Sequence, residues 1–491
     1  MAIMPIGRIF EWQAARDPDR PCLTFEGETL SRLAFDRLTN RLARAYAGLG
    51  VGQDDFVTIA LPNGIEFYAA AVASWKLGAT PQPVSAKLPP AELDAIIELV
   101  RPKLTVGVPE GVQVAGQSLP PGFVPDPDLS DAPLPERVAR HWKAPTSGGS
   151  TGRPKIIVAA APGLFDPAQP GARMQPDGAH LVPGPLYHNG PFVMSCQALF
   201  SGSHVVVMPR FDAEQTLALI ARHHIDWVMM VPTMMHRIWR LGPEIRGKYD
   251  LSSLRVLLHL AAPCPAWLKE EWINWIGPQK IHELYAGTEG TGMTWIVGDE
   301  WLAHRGSVGR PQPGCEMIVV DGEGAPLPAG EVGEIYIRPA SGQGSTYHYL
   351  GDQAKALEGG WESLGDMGYF DADGYLYLAD RLTDMILSGG ANIYPAEVEA
   401  AIDAHPAVRS SAVIGLPDDD MGNLVHAIVD CTAPIDEAAL RATLADRLVK
   451  YKIPRSFEFV NTPLRDDAGK VRRKALREER LARMAPGAER T

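Results

Sequence analysis

The chain has 491 residues, a formal net charge of −13, 45% hydrophobic residues and 21% charged residues. This composition is typical of a folded globular protein and excludes a disordered chain, while the acidic balance argues against a nucleic-acid partner. No apolar run reaches the 18 or more residues that a membrane-spanning helix needs, so no membrane span is predicted.

The length exceeds one ordinary hydrophobic core, which predicts two or more domains. Helix and strand patterns alternate in the first part of the chain, at 9–16 (helix), 31–49 (helix), 55–61 (strand), 65–77 (helix) and 80–84 (strand). Residues 111–140 are rich in Pro and Asp and are predicted to form a long surface loop.

The same alternation returns after the loop, at 204–208 (strand), 213–224 (helix), 227–231 (strand) and 255–260 (strand). Alternating elements of this kind predict an α/β fold with largely parallel sheets. Residues 315–340 differ, because two strand patterns flank a Gly/Pro-rich turn, and they predict an antiparallel β-rich subdomain.

The last part of the chain is predicted to form a small α+β domain after a boundary near 380–384. Its elements are expected at 395–403 (helix), 412–415 (strand), 425–431 (strand) and 436–449 (helix). A basic tail follows, in which Arg472, Arg473 and Lys474 are expected to be solvated. The predicted domains are therefore 1–382 and 383–491.

The spacing of the cysteines and the N-terminal residues indicate the cellular compartment. No two cysteines form a C-x-x-C pair, so neither a zinc site nor a disulfide framework is predicted; they are Cys22, Cys196, Cys264, Cys315 and Cys431. The first residues lack the apolar core of a signal peptide. These features predict a cytoplasmic protein.

The stretch 146–155, Thr-Ser-Gly-Gly-Ser-Thr-Gly-Arg-Pro-Lys, combines three glycines, four hydroxyl side chains and two cations. Glycine lets several backbone N–H groups turn toward one anion, and hydroxyls and cations add donors and charge. Gly152 is followed by Arg153 and Pro154, so this is not a P-loop, and Pro154 argues against a helix directly after it. Taken alone, the stretch fits a polyphosphate-binding loop or a flexible surface turn.

Several further fragments occur in a characteristic order. They are Pro185-Leu-Tyr-His-Asn-Gly190, Tyr285-Ala-Gly-Thr-Glu289, Gly365-Asp366, Asp380-Arg-Leu-Thr-Asp384, Ser388-Gly-Gly-Ala-Asn-Ile-Tyr-Pro395 and Gly469-Lys470. With the 146–155 loop they resemble the adenylate-forming superfamily of acyl-CoA synthetases, luciferases and peptide-synthetase adenylation domains, from about residue 11 to 476. The resemblance implies a large N-terminal domain, a small mobile C-terminal lid domain and a hinge near Thr383.

The resemblance implies ATP/AMP, Mg²⁺ and coenzyme A as cofactors and cosubstrates. The residues implied to hold phosphates, nucleotide and pantetheine are Ser147, Ser150, Thr151, Gly152, Lys155, Ala261, Ala262, Tyr285, Ala286, Gly287, Asp366, Arg381, Gly389 and Gly390. The implied catalytic residues are Lys470, His188, Thr288 and Glu289, with Glu289 as the metal ligand. A carboxylate beside phosphate oxygens is the environment that Mg²⁺ prefers.

The predicted acyl pocket is lined by small or soft residues, which are His188, Met229, Met230, Met234, Ala262 and Gly287. Methionine adapts to irregular apolar ligands, although core packing explains such a cluster equally well. Leu-Tyr-His-Asn-Gly-Pro over 186–191 resembles the bile-acid and steroid CoA ligase branch. The prediction is an acyl-CoA ligase for a bulky hydrophobic carboxylic acid, polycyclic acids included.

Three departures from the family pattern leave alternatives open. Gly148 stands where Ser or Thr is usual, Ile156 and Ala286 stand where Gly is usual, and all three lie at the nucleotide site. One alternative is an enzyme with weak adenylation that makes the thioester from a preformed acyl-adenylate. Others are loading of a carrier protein and a non-catalytic nucleotide-binding regulator. A homodimer is also left open.

Overall fold

A computed structural model describes residues 3–109, 111–148, 154–381, 384–388, 391–418, 421–466 and 469–484. The first elements are β1 Met4–Pro5, α1 Ile6–Arg16, β2 Pro21–Phe25, β3 Glu28–Ser31, α2 Arg32–Gly48, β4 Phe56–Ile59, α3 Ile65–Lys76, β5 Thr80–Pro83, α4 Pro90–Val100, β6 Leu104–Val106 and β7 Gln117–Leu119.

The middle of the chain forms β8 Thr146–Gly148, β9 Pro154–Ala159, β10 Leu164–Phe165, β11 Ala179–Val182, α5 Asn189–Phe200, β12 His204–Val207, α6 Ala213–His223, β13 Trp227–Met230, α7 Pro232–Trp239, α8 Pro243–Arg246, β14 Val256–His259, α9 Ala266–Ile276, β15 Ile281–Ala286, β16 Met293–Val297, α10 Gly298–Ala303 and β17 Ser307–Pro311.

The remaining elements are β18 Cys315–Val320, β19 Gly333–Pro339, β20 Tyr347–Leu350, β21 Lys355–Leu357, β22 Trp361–Phe370, β23 Leu376–Arg381, β24 Ile386–Ser388, β25 Ala391–Ile393, α11 Pro395–Asp403, β26 Val408–Asp418, β27 Gly422–Cys431, α12 Glu437–Ala445, β28 Ser456–Val460 and α13 Arg473–Met484. Among the residues described, no helix is both long and apolar enough to cross a bilayer.

One large sheet dominates the chain before residue 381. Its strand order is β18-β19-β22-β23-β17-β16-β15-β14-β13-β11-β12-β2-β3, and the neighbours from β15 through β2 pair in parallel. Successive side chains of a strand point to opposite faces. Val205 and Val207 accordingly belong to one core cluster and Val206 to another, so both faces of the parallel part are buried.

A smaller parallel sheet runs in the order β5-β4-β6-β7. Helix α3 is buried along almost its whole length, from Phe67 to Lys76, and contacts α1, α2, β4 and β5. A helix that is apolar on nearly all sides belongs inside a core. The α/β architecture and the antiparallel β18–β19 pair expected over 315–340 are confirmed.

The C-terminal part has a core of its own, which includes Ile393, Val398, Val413, Val429 and Leu440. Strands β26, β27 and β28 form a sheet, and α11 packs on β26. This arrangement fits the predicted small α+β domain, whereas the boundary at 382/383 stays a prediction. The hinge residue Thr383 lies outside the described residues.

The structure differs from the sequence expectations in several elements. The predicted loop over 111–140 contains β7, which pairs in parallel with β6. The fragment Gly365-Asp366 lies within β22, where Gly365 takes a φ of +82°. The predicted basic tail contains helix α13, because its charged residues find partners on the C-terminal core.

Candidate active site

Four parallel strands end at the same edge of the large sheet, and the predicted site residues follow those ends. β11 is followed by His188, β13 by Met234, β14 by Ala261 and β15 by Gly287. Ligands of α/β sheets bind outside the carboxyl ends of the strands. This edge is therefore the candidate active site.

The 146–155 stretch begins as a strand and returns as a strand. β8 and β9 pair antiparallel, with Ser147 opposite Lys155, so Pro154 opens a strand rather than a helix. Thr146 is fixed because Gln82 of β5 donates a hydrogen bond to its Oγ1 over 2.6 Å. Of the predicted phosphate-binding residues, Ser150, Thr151 and Gly152 lie outside the described residues.

Lys155 faces the predicted metal ligand. Its Nζ lies 3.9 Å from Oε1 of Glu289, 3.3 Å from Oδ2 of Asp352 and 4.2 Å from the ring centre of Tyr349. The hydroxyl of Tyr349 donates to Oε1 of Glu289 over 2.6 Å, and burial followed by the charge of Glu289 raises the pKa of Tyr349. Thr288, half-buried, precedes Glu289 in the same turn.

Gly287 keeps space open beside the carboxylate of Glu289. A Cβ at Gly287 would lie 2.8 Å from Oε2 of Glu289 and 2.6 Å from Cδ1 of Leu364. Contacts this short would force the carboxylate aside. An acid held beside an open cradle and a lysine fits a magnesium ion with phosphate oxygens. The residues present therefore fit the group that the resemblance implies, with Glu289 as its ligand.

The predicted nucleoside residues meet across β15 and β22. The hydroxyl of Tyr285 donates to Oδ2 of Asp366 over 2.9 Å. Asp366 pairs in register with Arg381 of β23, although the side chain of Arg381 lies outside the described residues. Ala286 is exposed at the end of β15. The carboxylate of Asp366 is thus bonded to Tyr285, another of the residues that the resemblance implies for the nucleotide.

Ala261 and Ala262 follow β14 on the same edge. Ala261 has a φ of +76°, in the left-handed region that residues other than glycine rarely adopt. Such strain persists where the surrounding structure imposes it, and it is frequent at binding sites. The small side chains leave the backbone here accessible.

The C-terminal part approaches this edge through the loop that carries Lys470. A Cβ at Gly469 would lie 3.0 Å from Oγ1 of Thr233 and 3.3 Å from Cγ2 of Val231, so the loop touches the end of β13. The Lys470 N–H donates to Oδ1 of Asp466, which shapes the turn. The exposed Lys470 side chain therefore starts from the sheet edge that carries the other candidate residues.

A second contact joins the C-terminal part to helix α7 of the preceding part of the chain. The guanidinium of Arg240, at the end of α7, donates to the carbonyls of Pro406 over 2.6 Å and Val408 over 2.8 Å. One side chain thus binds the backbone just before β26 and at its first residue, and it connects the C-terminal core to α7.

The expectation that Arg472, Arg473 and Lys474 form a solvated tail is wrong for Arg473. Its guanidinium donates to both oxygens of Glu399, over 2.8 and 2.9 Å, and to Asp384 over 2.8 Å. Arg465 donates to the same Glu399 over 2.9 Å. Buried acids require such partners, and the acids that attract Arg473 are distant in sequence. Gly389 and Gly390 lie outside the described residues.

The predicted acyl pocket is only partly assembled as expected. A Cβ at Gly190 would lie 3.2 Å from Sδ of Met229 and 3.4 Å from Cδ1 of Leu260. The ring of His188, just before α5, lies 4.2 Å from that of Tyr187. Met230 points to the opposite face of the sheet and packs in the other core cluster. The structure thus brings Met229, but not Met230, to Gly190.

Met234 lies between the Gly190 side of the site and the core cluster that contains Met230. Its Cε is 3.8 Å from the position of a Cβ at Gly184, which follows β11. The side chain also packs in the cluster that contains Met230. Met234 therefore lies beside Gly184 and does not belong to the residues that a Cβ at Gly190 would meet.

Sequence reasoning missed Lys143. This lysine is 7% exposed, and its ammonium donates a hydrogen bond to Oδ1 of Asn189, next to His188. Burial lowers the pKa of Lys143 to about 7, and the charge of Glu289 opposes this shift. The signal available in the sequence was a lysine inside the apolar run Trp142-Lys-Ala-Pro145, just ahead of the glycine-rich loop.

Comparison with known proteins decides the family. Residues 10–348 match the family model of AMP-binding enzymes, and residues 397–470 match the model of the AMP-binding enzyme C-terminal domain. The chain belongs to the AMP-binding enzyme family. The predicted adenylate-forming resemblance and the predicted AMP-forming acid–thiol ligase class are thereby confirmed, and so are ATP/AMP, Mg²⁺ and coenzyme A at the level of the family.

Among its relatives is the fatty acid–[acyl-carrier-protein] ligase ScoC of Streptomyces coeruleorubidus, 30% identical over 95% of each chain. The long-chain-fatty-acid–CoA ligase FadD13 of Mycobacterium tuberculosis is 30% identical over 91% of this chain and 92% of its own. The ATP-bound structure of MatB from Rhodopseudomonas palustris is similar to this AMP-binding enzyme with a TM-score of 0.79, at 27% identity, over 97% of this chain and 99% of that one.

Proposed function

We propose that this AMP-binding enzyme is an acyl-CoA ligase that converts a bulky hydrophobic carboxylic acid, polycyclic acids included, first to an acyl-adenylate and then to a coenzyme A thioester. The observation that carries the proposal is the meeting of two groups at one sheet edge. In the Lys155–Glu289 cluster, Lys155 lies at the start of β9 and Glu289 follows β15, while the Lys470 loop contacts Val231 and Thr233 after β13.

In the first half-reaction the acid's carboxylate attacks the α-phosphorus of ATP, and pyrophosphate leaves. Negative charge is then spread over phosphate oxygens and is stabilised by preorganised cations and N–H donors. We assign Lys155 and the glycine-rich loop to the β- and γ-phosphates, and Lys470 to the carboxylate and α-phosphate. Glu289 would hold Mg²⁺, which supplies Lewis-acid neutralisation of phosphate charge.

Asp366 and Tyr285 are assigned to the nucleoside. A carboxylate accepts hydrogen bonds from both ribose hydroxyls, and the 2.9 Å bond from Tyr285 fixes Asp366 for that purpose. Arg381 is proposed to assist, and the left-handed backbone at Ala261 exposes peptide groups to the base. These roles fix the position of the α-phosphorus relative to the acyl pocket.

The second half-reaction requires coenzyme A to reach the acyl carbonyl. We assign Gly389 and Gly390 to the pantetheine channel, His188 to the gate of that channel and Thr383 to the hinge of the C-terminal domain. The two domains are 1–382 and 383–491 in this proposal. Rotation would break the contacts that Arg240 makes with Pro406 and Val408.

The acyl group is proposed to lie along Gly190, Met229 and Leu260. These residues are apolar, and the methionine thioether adapts its shape to the ligand. The test is detection of AMP and CoA thioester with acetate, malonate, decanoate, cinnamate and cholate. Turnover of decanoate, cinnamate or cholate well above acetate is expected, and exclusive turnover of acetate or malonate would contradict the proposed acid class.

Loading of a carrier protein is the second candidate, and the 30% identity to ScoC favours it. The acceptor thiol distinguishes the two candidates directly. The same acyl-adenylate is offered to coenzyme A and to a phosphopantetheinylated carrier protein, and the faster acceptor identifies the activity. We expect coenzyme A to be faster, and a preference for the carrier would contradict that part of the proposal.

A further inference from the structure

Lys143 lies on the wall of the candidate site, held rigidly by backbone bonds on both sides. Its carbonyl accepts from the Ala159 N–H of β9, and the next residue, Ala144, donates its N–H to the carbonyl of Pro81 in β5. The side chain is 7% exposed and ends at Oδ1 of Asn189. The position of the ammonium group is therefore set by two sheets and by α5.

Two other buried lysines show what such a group normally requires. Lys76 donates to Oδ1 of Asp36 over 2.6 Å and to Oδ1 of Asn40 over 2.7 Å. Lys269 donates to Oε2 of Glu283 over 2.5 Å. Each therefore has a carboxylate in direct contact, as a buried cation needs.

Lys143 has no such carboxylate among the residues the structure describes. Its hydrogen-bond acceptor there is the neutral amide oxygen of Asn189, whereas an ammonium group carries three donors. Glu289 acts on it through its charge without a direct bond. The Trp142 ring, whose centre lies 5.3 Å from Nζ, is a weak further partner. A buried cation with one neutral hydrogen-bond partner is costly, which points to an anion supplied from outside the chain.

The surroundings of the ammonium favour an anion as well. Helix α5 begins at Asn189, the residue whose side chain accepts from Lys143. The first N–H groups of a helix carry partial positive charge and attract negative groups. Lys143 is aimed at this helix terminus, so a buried charged side chain and a helix N-terminus converge on one place.

The ammonium of Lys143 lies between the proposed site of the acyl chain and the proposed site of the ATP phosphates. Gly190, the next residue of α5, contacts the acyl-pocket residues Met229 and Leu260. Glu289, whose charge acts on Lys143, belongs to the phosphate and metal side. The negative group that connects the acyl chain to the phosphate is the acid's own carboxylate.

We propose that Lys143 and Asn189, with the N-terminus of α5, bind the carboxylate of the acid substrate before adenylation. This role rests on the proposed function. The carboxylate loses its negative charge when one of its oxygens bonds to the α-phosphorus and pyrophosphate leaves. Lys143 therefore contributes to binding of the free acid and contributes little once the adenylate has formed.

The experiment compares wild type with Lys143→Met and Lys143→Arg, using decanoate and cholate as probes. Lys143→Met is expected to raise KM for the acid in pyrophosphate exchange about tenfold or more, since a bond to a charged group is lost. KM for ATP and thioester formation from premade decanoyl-adenylate or cholyl-adenylate should stay within about threefold of wild type. Lys143→Arg should recover part of the loss.

Calorimetry gives a readout independent of turnover. Decanoate should bind the Lys143→Met variant more weakly than wild type, while the uncharged decanamide should bind both equally. Asp36→Asn with Lys76→Met removes a buried lysine and its acid elsewhere and serves as the matched control, with unchanged KM values. Unchanged acid affinity in Lys143→Met, or equal loss in both half-reactions, would overturn the role of Lys143.

Failure of the proposed function gives a different result. Wild type would then show no acid-dependent pyrophosphate exchange with decanoate, cholate or the other acids of the panel, and the role of Lys143 would fall with it. Exchange by wild type that Lys143→Met retains with unchanged KM for the acid contradicts the role of Lys143 alone.

Discussion

Two regions of the molecule bury a lysine but surround it differently. One is the packing of helices α1, α2 and α3, and the other is the wall of the candidate site. Lys76 is enclosed by Asp36 and Asn40, and Gly7 of α1 approaches its backbone so closely that a Cβ would lie 2.9 Å from its Cα. Lys143 is buried to a similar degree with one amide partner. The first region is complete within the chain, whereas the second is completed by a ligand.

Glycine packing shows the same difference. The atoms that a Cβ at Gly7 would meet are backbone atoms of Trp75 and Lys76, which cannot move alone. The atoms that a Cβ at Gly190 would meet are the ends of the flexible Met229 and Leu260 side chains. The helical packing is therefore rigid, and the site wall is adaptable, as a ligand pocket requires.

The largest expected effect concerns a third lysine, Lys470, which reaches the site from the C-terminal part. Lys470→Ala should lower pyrophosphate exchange about 1000-fold, because its charge is proposed to act on the carboxylate and α-phosphate during adenylation. Thioester formation from supplied acyl-adenylate should survive. Equal pyrophosphate exchange in variant and wild type would remove Lys470 from the reaction.

Lys76→Met should have the largest effect on stability. It leaves the buried Asp36 carboxylate without its cation, which costs about 3 kcal/mol. Chemical denaturation should show the loss, while activity per folded molecule stays that of wild type. A variant as stable as wild type would show that the Lys76–Asp36 pair contributes no net stability.

A pair of glycine variants tests the contrast in packing. Gly190→Ala should lower kcat/KM for decanoate or cholate about tenfold by narrowing the pocket, with acetate unaffected and stability nearly unchanged. Gly7→Ala should instead cost about 1–3 kcal/mol of stability through contact with backbone and leave selectivity unchanged. Destabilisation by Gly190→Ala without a change in selectivity would place Gly190 in the core.

Much of this organisation could be predicted from the sequence. The apolar periodicity of α3 and of the strand after it is a local pattern, and it predicted elements that the structure contains. The Thr-Glu pair at 288–289 is likewise a local pattern, and its site role stays a prediction. Lys143 was missed because its meaning depends on Asn189, 46 residues away. Arg473 was misjudged for the same reason, since Glu399 and Asp384 approach it only in the folded chain.

Other expectations failed because the local sequence pattern does not show which face of a strand a side chain points to, or whether a short stretch pairs as a strand. Met229 and Met230 are adjacent in β13 and point to opposite faces, which a cluster of methionines does not reveal. Strand β7 has three residues in a stretch rich in turn formers, so its pairing with β6 outweighs its local preference.

The smallest expected effect concerns the cost of burying Lys143. Its pKa is lowered to about 7 in the folded protein, below the ordinary lysine value, so charging it destabilises the fold fully below pH 7 and progressively less as pH rises toward 10. The charged group that faces it is Glu289, and His188 is the titratable neighbour of its amide partner.

Lys143→Met should therefore raise the melting temperature of the ligand-free protein by about 2 °C at pH 6.5, with a smaller difference at pH 9. Thermal unfolding at the two pH values checks this, with Lys76→Met, expected to melt lower, as the contrast. A fall in melting temperature at pH 6.5 would mean that Lys143 stabilises the ligand-free fold as Lys76 does.

The most direct test of the central claim is a single-turnover experiment in two stages. Enzyme, ATP, Mg²⁺ and a radiolabelled acid, decanoate or cholate, are first mixed without coenzyme A, and coenzyme A is then added. We expect labelled acyl-adenylate to accumulate on the enzyme and to be converted to an equal amount of CoA thioester. Absence of ATP-dependent acyl-adenylate, with thioester forming only from adenylate supplied ready-made, would contradict this expectation.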